Sequence, residues 1–230
     1  MTAPLLTTLF PNIDDWAELG QACLDTLLML GGSLALTVLL GLPLGVLLHL
    51  TARGQLAPMP RLNAALAFAV NVLRSVPFII LMIVLMPVTY FLVGTRLGIR
   101  GAIPPLVIGA APFFARLVES ALREVEHGVV EASQAMGAST WQIVRHVLLP
   151  EARGGLIAAV TVTAIALVGY TAMGGAIGAG GLGDLAYRYG YLSYKSDYML
   201  VTVALLVVLV QLIQALGDWL AARSARRRGR

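Results

Sequence analysis

Four stretches of this chain run for about 20 residues or more without a single Asp, Glu, Lys or Arg: Thr26–Ala52, Ser75–Thr95, Gly154–Gly183 and Tyr198–Gly217. A fifth, Gly101–Ala115, is shorter, and Leu117, Val118 and Ala121 extend it. A helix needs roughly 20 apolar residues to cross the ~30 Å hydrocarbon core of a bilayer. Within that core only helices and closed barrels satisfy the backbone. The pattern therefore predicts an all-α polytopic membrane protein with five transmembrane helices, at about 26–50, 64–92, 101–122, 154–180 and 198–217. All lie in a single domain, 1–230, with a long loop at about 123–153. Only 12% of the residues are charged, against about 25% in a soluble domain.

Positive charge alternates along the chain. Asp14, Asp15, Glu18 and Asp25 precede any base. Arg53 and Arg61 mark the first loop, Arg96 and Arg100 the second, and Arg116, Arg123, Arg145 and Arg153 are assigned to the third. Arg188 and Lys195 mark the fourth, and Arg223, Arg226, Arg227, Arg228 and Arg230 the tail. With five spans the first loop, the third loop and the tail share a side, which then holds eleven of the sixteen Lys and Arg residues. The positive-inside rule puts that side in the cytoplasm and the N-terminus outside. The tail then serves as a membrane anchor, and no nucleic-acid partner is needed to explain it. The N-terminus, with no base before Arg53, does not read as a signal peptide. Cys23 stands alone, which rules out an internal disulfide; it reads as a small buried residue.

Residues 178–183 spell GxGxxG, the string of a dinucleotide loop. Such a loop follows a buried strand and opens a helix, whereas an apolar span precedes it here. Packing explains the glycines better. Gly174 and Gly178 are four apart, as are Gly175 and Ala179, a small-xxx-small spacing that lets helices approach closely in lipid. Gly180, Gly181 and Gly183 would then end the helix.

The third loop contains EASQAMGASTWQIVRHVLLPEA, residues 131–152. Glu131–Met136 favours a helix and Gly137 interrupts it. Ser139 with Gln142 forms a capping box for a second helix, on which Trp141, Val144, Val147 and Leu148 share a face. Pro150 starts or stops a helix. The residues alone leave two readings open, a docking surface for a partner and a helix lying on the lipid interface.

Glu131-Ala132-Ser133, Gly137 and Val147-Leu148-Leu149-Pro150 resemble the motif E-A-A-x3-G-x9-I-x-L-P of bacterial ABC importer permeases, with Ser133 for Ala and Val147 for Ile. In that family the motif is the coupling helix that sits in a cleft of the ATP-binding subunit. The resemblance thus implies docking roles for Glu131, Ala132, Ser133, Gly137 and Ala138. Asn71–Pro87, Ile108–Leu122 and Leu167–Tyr191 resemble the methionine importer permeases; the first 25 residues and the tail lie outside that likeness. It implies the type I importer architecture and a bacterial inner-membrane location. It also implies a homodimer with two ATPase subunits that carry ATP and Mg, and a periplasmic or lipid-anchored binding protein that delivers methionine or a related amino acid. This chain would bind no cofactor and hydrolyse no ATP.

Met173 ends the apolar part of its span just before the glycines, and Tyr170 lies one turn back. With Gly174 they form a candidate gate, in which a flexible thioether seals a narrow path. Pro77 disfavours helix continuity near Arg74: either the helix breaks there and exposes that charge at the cytoplasmic face, or Arg74 faces the subunit interior. His49, His127 and His146 have no metal-ligand spacing and read as surface or interfacial groups, and no metal or catalytic cluster is expected. An ion-coupled carrier is the alternative function. It usually buries Asp, Glu or His in its spans, and the expected spans hold none beyond their edges.

Overall fold

The computed structural model describes Phe10, Ile13 and residues 15–226, the last two by backbone alone. Asp14 and the arginines 227, 228 and 230, which entered the charge pattern, lie outside the described residues. The described chain is helical throughout: α1 (Trp16–Thr51), α2 (Pro60–Ser75), α3 (Phe78–Val84), α4 (Met86–Val93), α5 (Gly98–Arg123), α6 (His127–Ala135), α7 (Thr140–Ile143), α8 (Leu149–Glu151), α9 (Arg153–Gly175), α10 (Gly181–Leu185) and α11 (Ser196–Arg226). Two π-helical turns, Val144–Leu148 and Ala186–Leu192, complete it.

Among the described residues four helices are long and apolar enough to cross a membrane: α1, α5, α9 and α11. The bent pair α2–α3 makes a fifth if it is counted as one broken span. The protein is an all-α polytopic membrane protein. Burial of these four falls as hydropathy rises. The most apolar, α11, has 6% of its spanning window buried, whereas the least apolar, α5, has 67%. Lipid tolerates apolar side chains only, so the helix with the polar groups is the one the protein itself surrounds.

Residues 60–93 are not one helix. Val76 is extended (φ −80°, ψ 126°) and Pro77 starts the next helix, because proline disfavours a helical conformation in the residue before it. The chain bends by 102° there. Arg74, one residue before the end of α2, is exposed and lies 5.8 Å over the Phe113 ring. The break, with Arg74 on its outer side, is thus the outcome of the two that proline allowed.

The chain forms two compact units, residues 36–76, 108–163 and 214–230 in one and 1–35, 77–107 and 164–213 in the other. In the first, Phe114, Val118 and Leu122 of α5 pack with Ile143, Val144 and Leu148, and Val38, Leu42 and Val46 of α1 lie against them. Gly41 and Gly45 admit this contact: a Cβ on Gly45 would sit 2.6 Å from the Ala115 carbonyl oxygen and from Val118 Cβ. The close small-xxx-small approach in this unit is therefore Gly41–Gly45.

In the second unit Leu19 and Ala22 pack with Leu182 and Leu185. Thr26 Oγ1 donates to Ala22 O at 2.9 Å and accepts from Leu182 N–H at 2.9 Å. Here the expectation for the glycines is corrected. α9 stops at Gly175, and Gly178 (φ +92°) lies in a turn beyond it, so Gly174 and Gly178 do not share a helix. Gly180 does not end α9 but precedes α10. The close approach is of the chain to itself: a Cβ on Gly175 would lie 2.2 Å from the Asp184 nitrogen.

Gly45→Ala is expected to destabilise the protein by about 1–3 kcal/mol through overpacking. Gly31→Ala, whose Cβ would meet nothing within 4 Å, should be neutral or stabilising, by up to about 1 kcal/mol of helix propensity. Thermal unfolding of the two variants in detergent checks the contrast.

Candidate functional site

The loop between α5 and α9 is a sequence of helix stops and starts, each with its own chemistry. α6 begins at His127, four residues before the expected start, so Glu131 sits mid-helix and gains little from the helix dipole. Glu131, Ala132, Gln134 and Ala135 are exposed and Met136 is 81% exposed. Ser133 is buried, and its hydroxyl donates to Val129 O at 2.8 Å. Of the expected docking residues, Ser133 therefore faces the protein and supports the helix, whereas Glu131, Ala132 and Gly137 face outward. Ala138 is half-buried against the core.

Gly137 is the pivot. Its φ is +82°, a left-handed conformation that glycine adopts without steric cost. Ala138 N–H donates to Ser133 O at 3.1 Å and Gly137 N–H to Gln134 O at 2.9 Å, the paired bonds of a Schellman helix end. Two residues later Ser139 opens α7. Its hydroxyl accepts from Gln142 N–H at 3.4 Å, and its own N–H donates to Gln142 Oε1 at 2.8 Å. The capping box read from the sequence is present.

Beyond α7 the helix widens. Leu149 N–H bonds to Val144 O, five residues back. Pro150 has no N–H for the carbonyl four residues before it and its ring crowds that carbonyl, which accounts for the π turn. The wider turn corrects the expected apolar face. Ile143, Val144 and Leu148 point inward, Val147 is half-buried, and Trp141 is 68% exposed. The outer side carries a cavity of about 420 Å³ lined by Ser133, Met136, Gly137, Ala138, Gln142 and His146, among others.

The inner side is fixed to α5, and α5 is fixed to α2 by charge. Glu119, 4% exposed, accepts from Arg116 Nη1 at 2.7 Å and from Arg123 Nη2 at 2.5 Å. Arg116 Nη2 also donates to Asn71 Oδ1 at 3.1 Å and Ala67 O at 3.3 Å on α2. Arg116 thus belongs to a helix and not to the loop, and an expected span does contain a carboxylate. Both had been visible as Arg116-x-x-Glu119-x-x-x-Arg123, the spacing of one helix face. His49 is likewise buried, at 4% exposure, not on the surface.

At the expected gate, Tyr170 stacks on Phe78 of α3 at 4.2 Å between centroids. Gly174 faces α3 as well, where a Cβ would lie 3.2 Å from Met82 Cε. Met173 is 48% exposed. Tyr170 and Gly174 therefore hold α9 to the helix after the break, and Met173 is the exposed member of the trio.

The family model described as binding-protein-dependent transport system inner membrane component matches residues 23–230. The chain belongs to this family. The match reaches the arginine tail, which the motif resemblance had left out. The permease is 50% identical, over 93% of its length and 97% of the relative's, to the probable D-methionine transport system permease protein MetI of Vibrio cholerae. It is 51% identical, over 91% and 94%, to the methionine import system permease protein MetP of Bacillus subtilis. Its fold matches a chain of the inward-facing MetNI methionine ABC transporter with a TM-score of 0.90 at 49% identity, covering 91% of this chain and 97% of that one. An amino acid ABC transporter with histidines matches with a TM-score of 0.73 at 16% identity, over 90% and 94%, which shows the fold alone. The permease is thus a multi-span inner-membrane component of a transport system, with the architecture of a type I ABC importer.

Glu119→Ala would leave the partly buried Arg116 without its ion partner. The permease should lose about 3 kcal/mol of stability, whereas Glu124→Ala, at an exposed site, should change it by less than about 0.5 kcal/mol. Chemical denaturation of the two variants checks this.

Proposed function

We propose that this chain is the membrane-spanning subunit of an ATP-driven importer of methionine or a closely related amino acid. It works as a homodimer in the bacterial inner membrane with two ATPase subunits, which hold the ATP and Mg. A periplasmic or lipid-anchored binding protein delivers the substrate. The N-terminus faces the periplasm and the C-terminus the cytoplasm. Residues 1–230 act as one transmembrane domain, and the loop at 123–153 couples it to the ATPase.

The observation that carries this reading is the Gly137 turn, with Glu131 and Ala132 exposed before it and the capped α7 after it. A rigid, outward-facing bend of this kind fits a cleft, and its back is buried on α5. Glu131 meets a basic group on the ATPase. Met173, the exposed member of the gate trio, narrows the path against the second copy. Substrate identity rests on the relatives, two of which are named for D-methionine or methionine.

The test is uptake of radiolabelled methionine by proteoliposomes holding the complex, with ATP inside and binding protein outside. ATP-dependent uptake supports the reading, and uptake driven by a cation gradient without ATP contradicts it. Gly137→Asp should insert and assemble yet hydrolyse ATP with uptake reduced at least tenfold. Normal uptake by this variant would exclude the coupling role. Glu131→Lys should weaken co-purification with the ATPase, and unchanged co-purification across a salt series would remove the ion pair from the account.

A further inference from the structure

Tyrosine recurs in the segment after α10: Tyr187, Tyr189, Tyr191 and Tyr194. Residues 186–192 make a π-helical turn, and the chain then reverses into α11. The inner side is firmly held. Tyr189 stacks on the buried Tyr198 at 4.6 Å, and a Cβ on Gly190 would already lie 3.0 Å from Met199 Cβ. Lys195 N–H donates to Tyr189 O at 3.0 Å and the Ser193 hydroxyl to Arg188 O at 2.8 Å.

Between those two bonds the backbone is strained. Tyr194 has φ +55° and is the sole non-glycine residue with positive φ among the described residues. An L-residue pays about 1–2 kcal/mol for that conformation, and glycine would avoid it. Yet the Tyr194 side chain is 90% exposed, so packing within the chain does not explain the residue. Tyr191 and Leu192 beside it are 63% and 55% exposed. Of the charges beside the patch, Arg188 is paired with Asp184 at 2.7 Å and Glu18 at 3.4 Å, and the Lys195 ammonium lies 5.7 Å over the Tyr189 ring and 5.8 Å over the Tyr198 ring. The result is a rigid aromatic knob. Tyrosine in such a setting gives large contact area at low entropic cost, as at protein interfaces.

We propose that Tyr194, flanked by Tyr191 and Leu192, is the anchor on which this chain receives the binding protein of its transport system. The inference rests on the functional reading above. The family is binding-protein-dependent, and α9 lies between this segment and the coupling loop. On that reading α9 crosses the bilayer before this segment, which puts the tyrosines on the periplasmic side. A lipid interface also takes tyrosine, but it accepts the ring from any backbone conformation. Strain that fixes the direction of one side chain is rewarded by a shaped partner.

The experiment uses the full permease–ATPase complex in nanodiscs, titrated with fluorescently labelled, methionine-loaded binding protein. Tyr194→Ala and Tyr194→Gly should each weaken binding tenfold or more, whereas Tyr194→Phe keeps most of it. Tyr194→Gly should at the same time melt at or above the wild-type temperature, because it relieves the strain. Wild-type affinity in Tyr194→Gly would overturn the proposal. So would a loss of affinity that comes with a lower melting temperature in that variant, since it would mark a structural residue. Failure of the wild-type complex to bind the protein at all would overturn the functional reading itself, and the anchor with it.

Discussion

The seating of Ile143, Val144 and Leu148 on Phe114, Val118 and Leu122 of α5 is the contact on which the rest depends. A loop can pass force to a membrane helix only if it cannot slide on it. Well-packed apolar side chains transmit displacement because the interior is dense and resists compression. The Schellman turn at Gly137 and the capping box at Ser139 fix the outer edge of the loop. The Glu119 ion pairs then carry the connection from α5 to α2, which ends at the Val76–Pro77 break. A push on the outer edge therefore has a continuous path to the break within one compact unit.

The same economy governs the membrane region. The buried carboxylate of Glu119 sits on the most buried of the four candidate spans, and the least buried of them is the most apolar. Close helix approach comes from absent side chains, at Gly45 against α5 and at Gly217, where a Cβ would lie 2.2 Å from Thr161 Oγ1. Backbone breaks fall where proline or consecutive glycines make them cheap: at Pro77, before Pro150, and from Gly178 to Gly181.

Much of this was legible in the sequence, for a physical reason. Long uncharged runs admit one solvent, so the helical membrane class followed at once. The capping box at Ser139 and the break near Arg74 were legible because they are local, set by residues within one turn. The glycines after Met173 were harder. Gly174 and Gly178 have helical spacing, but whether a helix continues through glycine depends on what the chain meets next. Here it meets itself, at Gly183 and Asp184. Gly41-x-x-x-Gly45 carried the same packing signal in a more apolar setting and was the one used against a neighbouring helix. The inward turn of Ser133 and the exposure of Trp141 depend on the earlier start of α6 and on the π turn, and spacing at 3.6 residues per turn does not encode either.

Hydrogen exchange along the loop tests the central claim most directly. Amides of residues 131–138 should gain protection when the ATPase subunits join the purified permease. Amides of 143–148, already buried on α5, should exchange slowly in both states. Formation of a stable complex with no change at 131–138 would contradict the account, because the ATPase would then be held somewhere else.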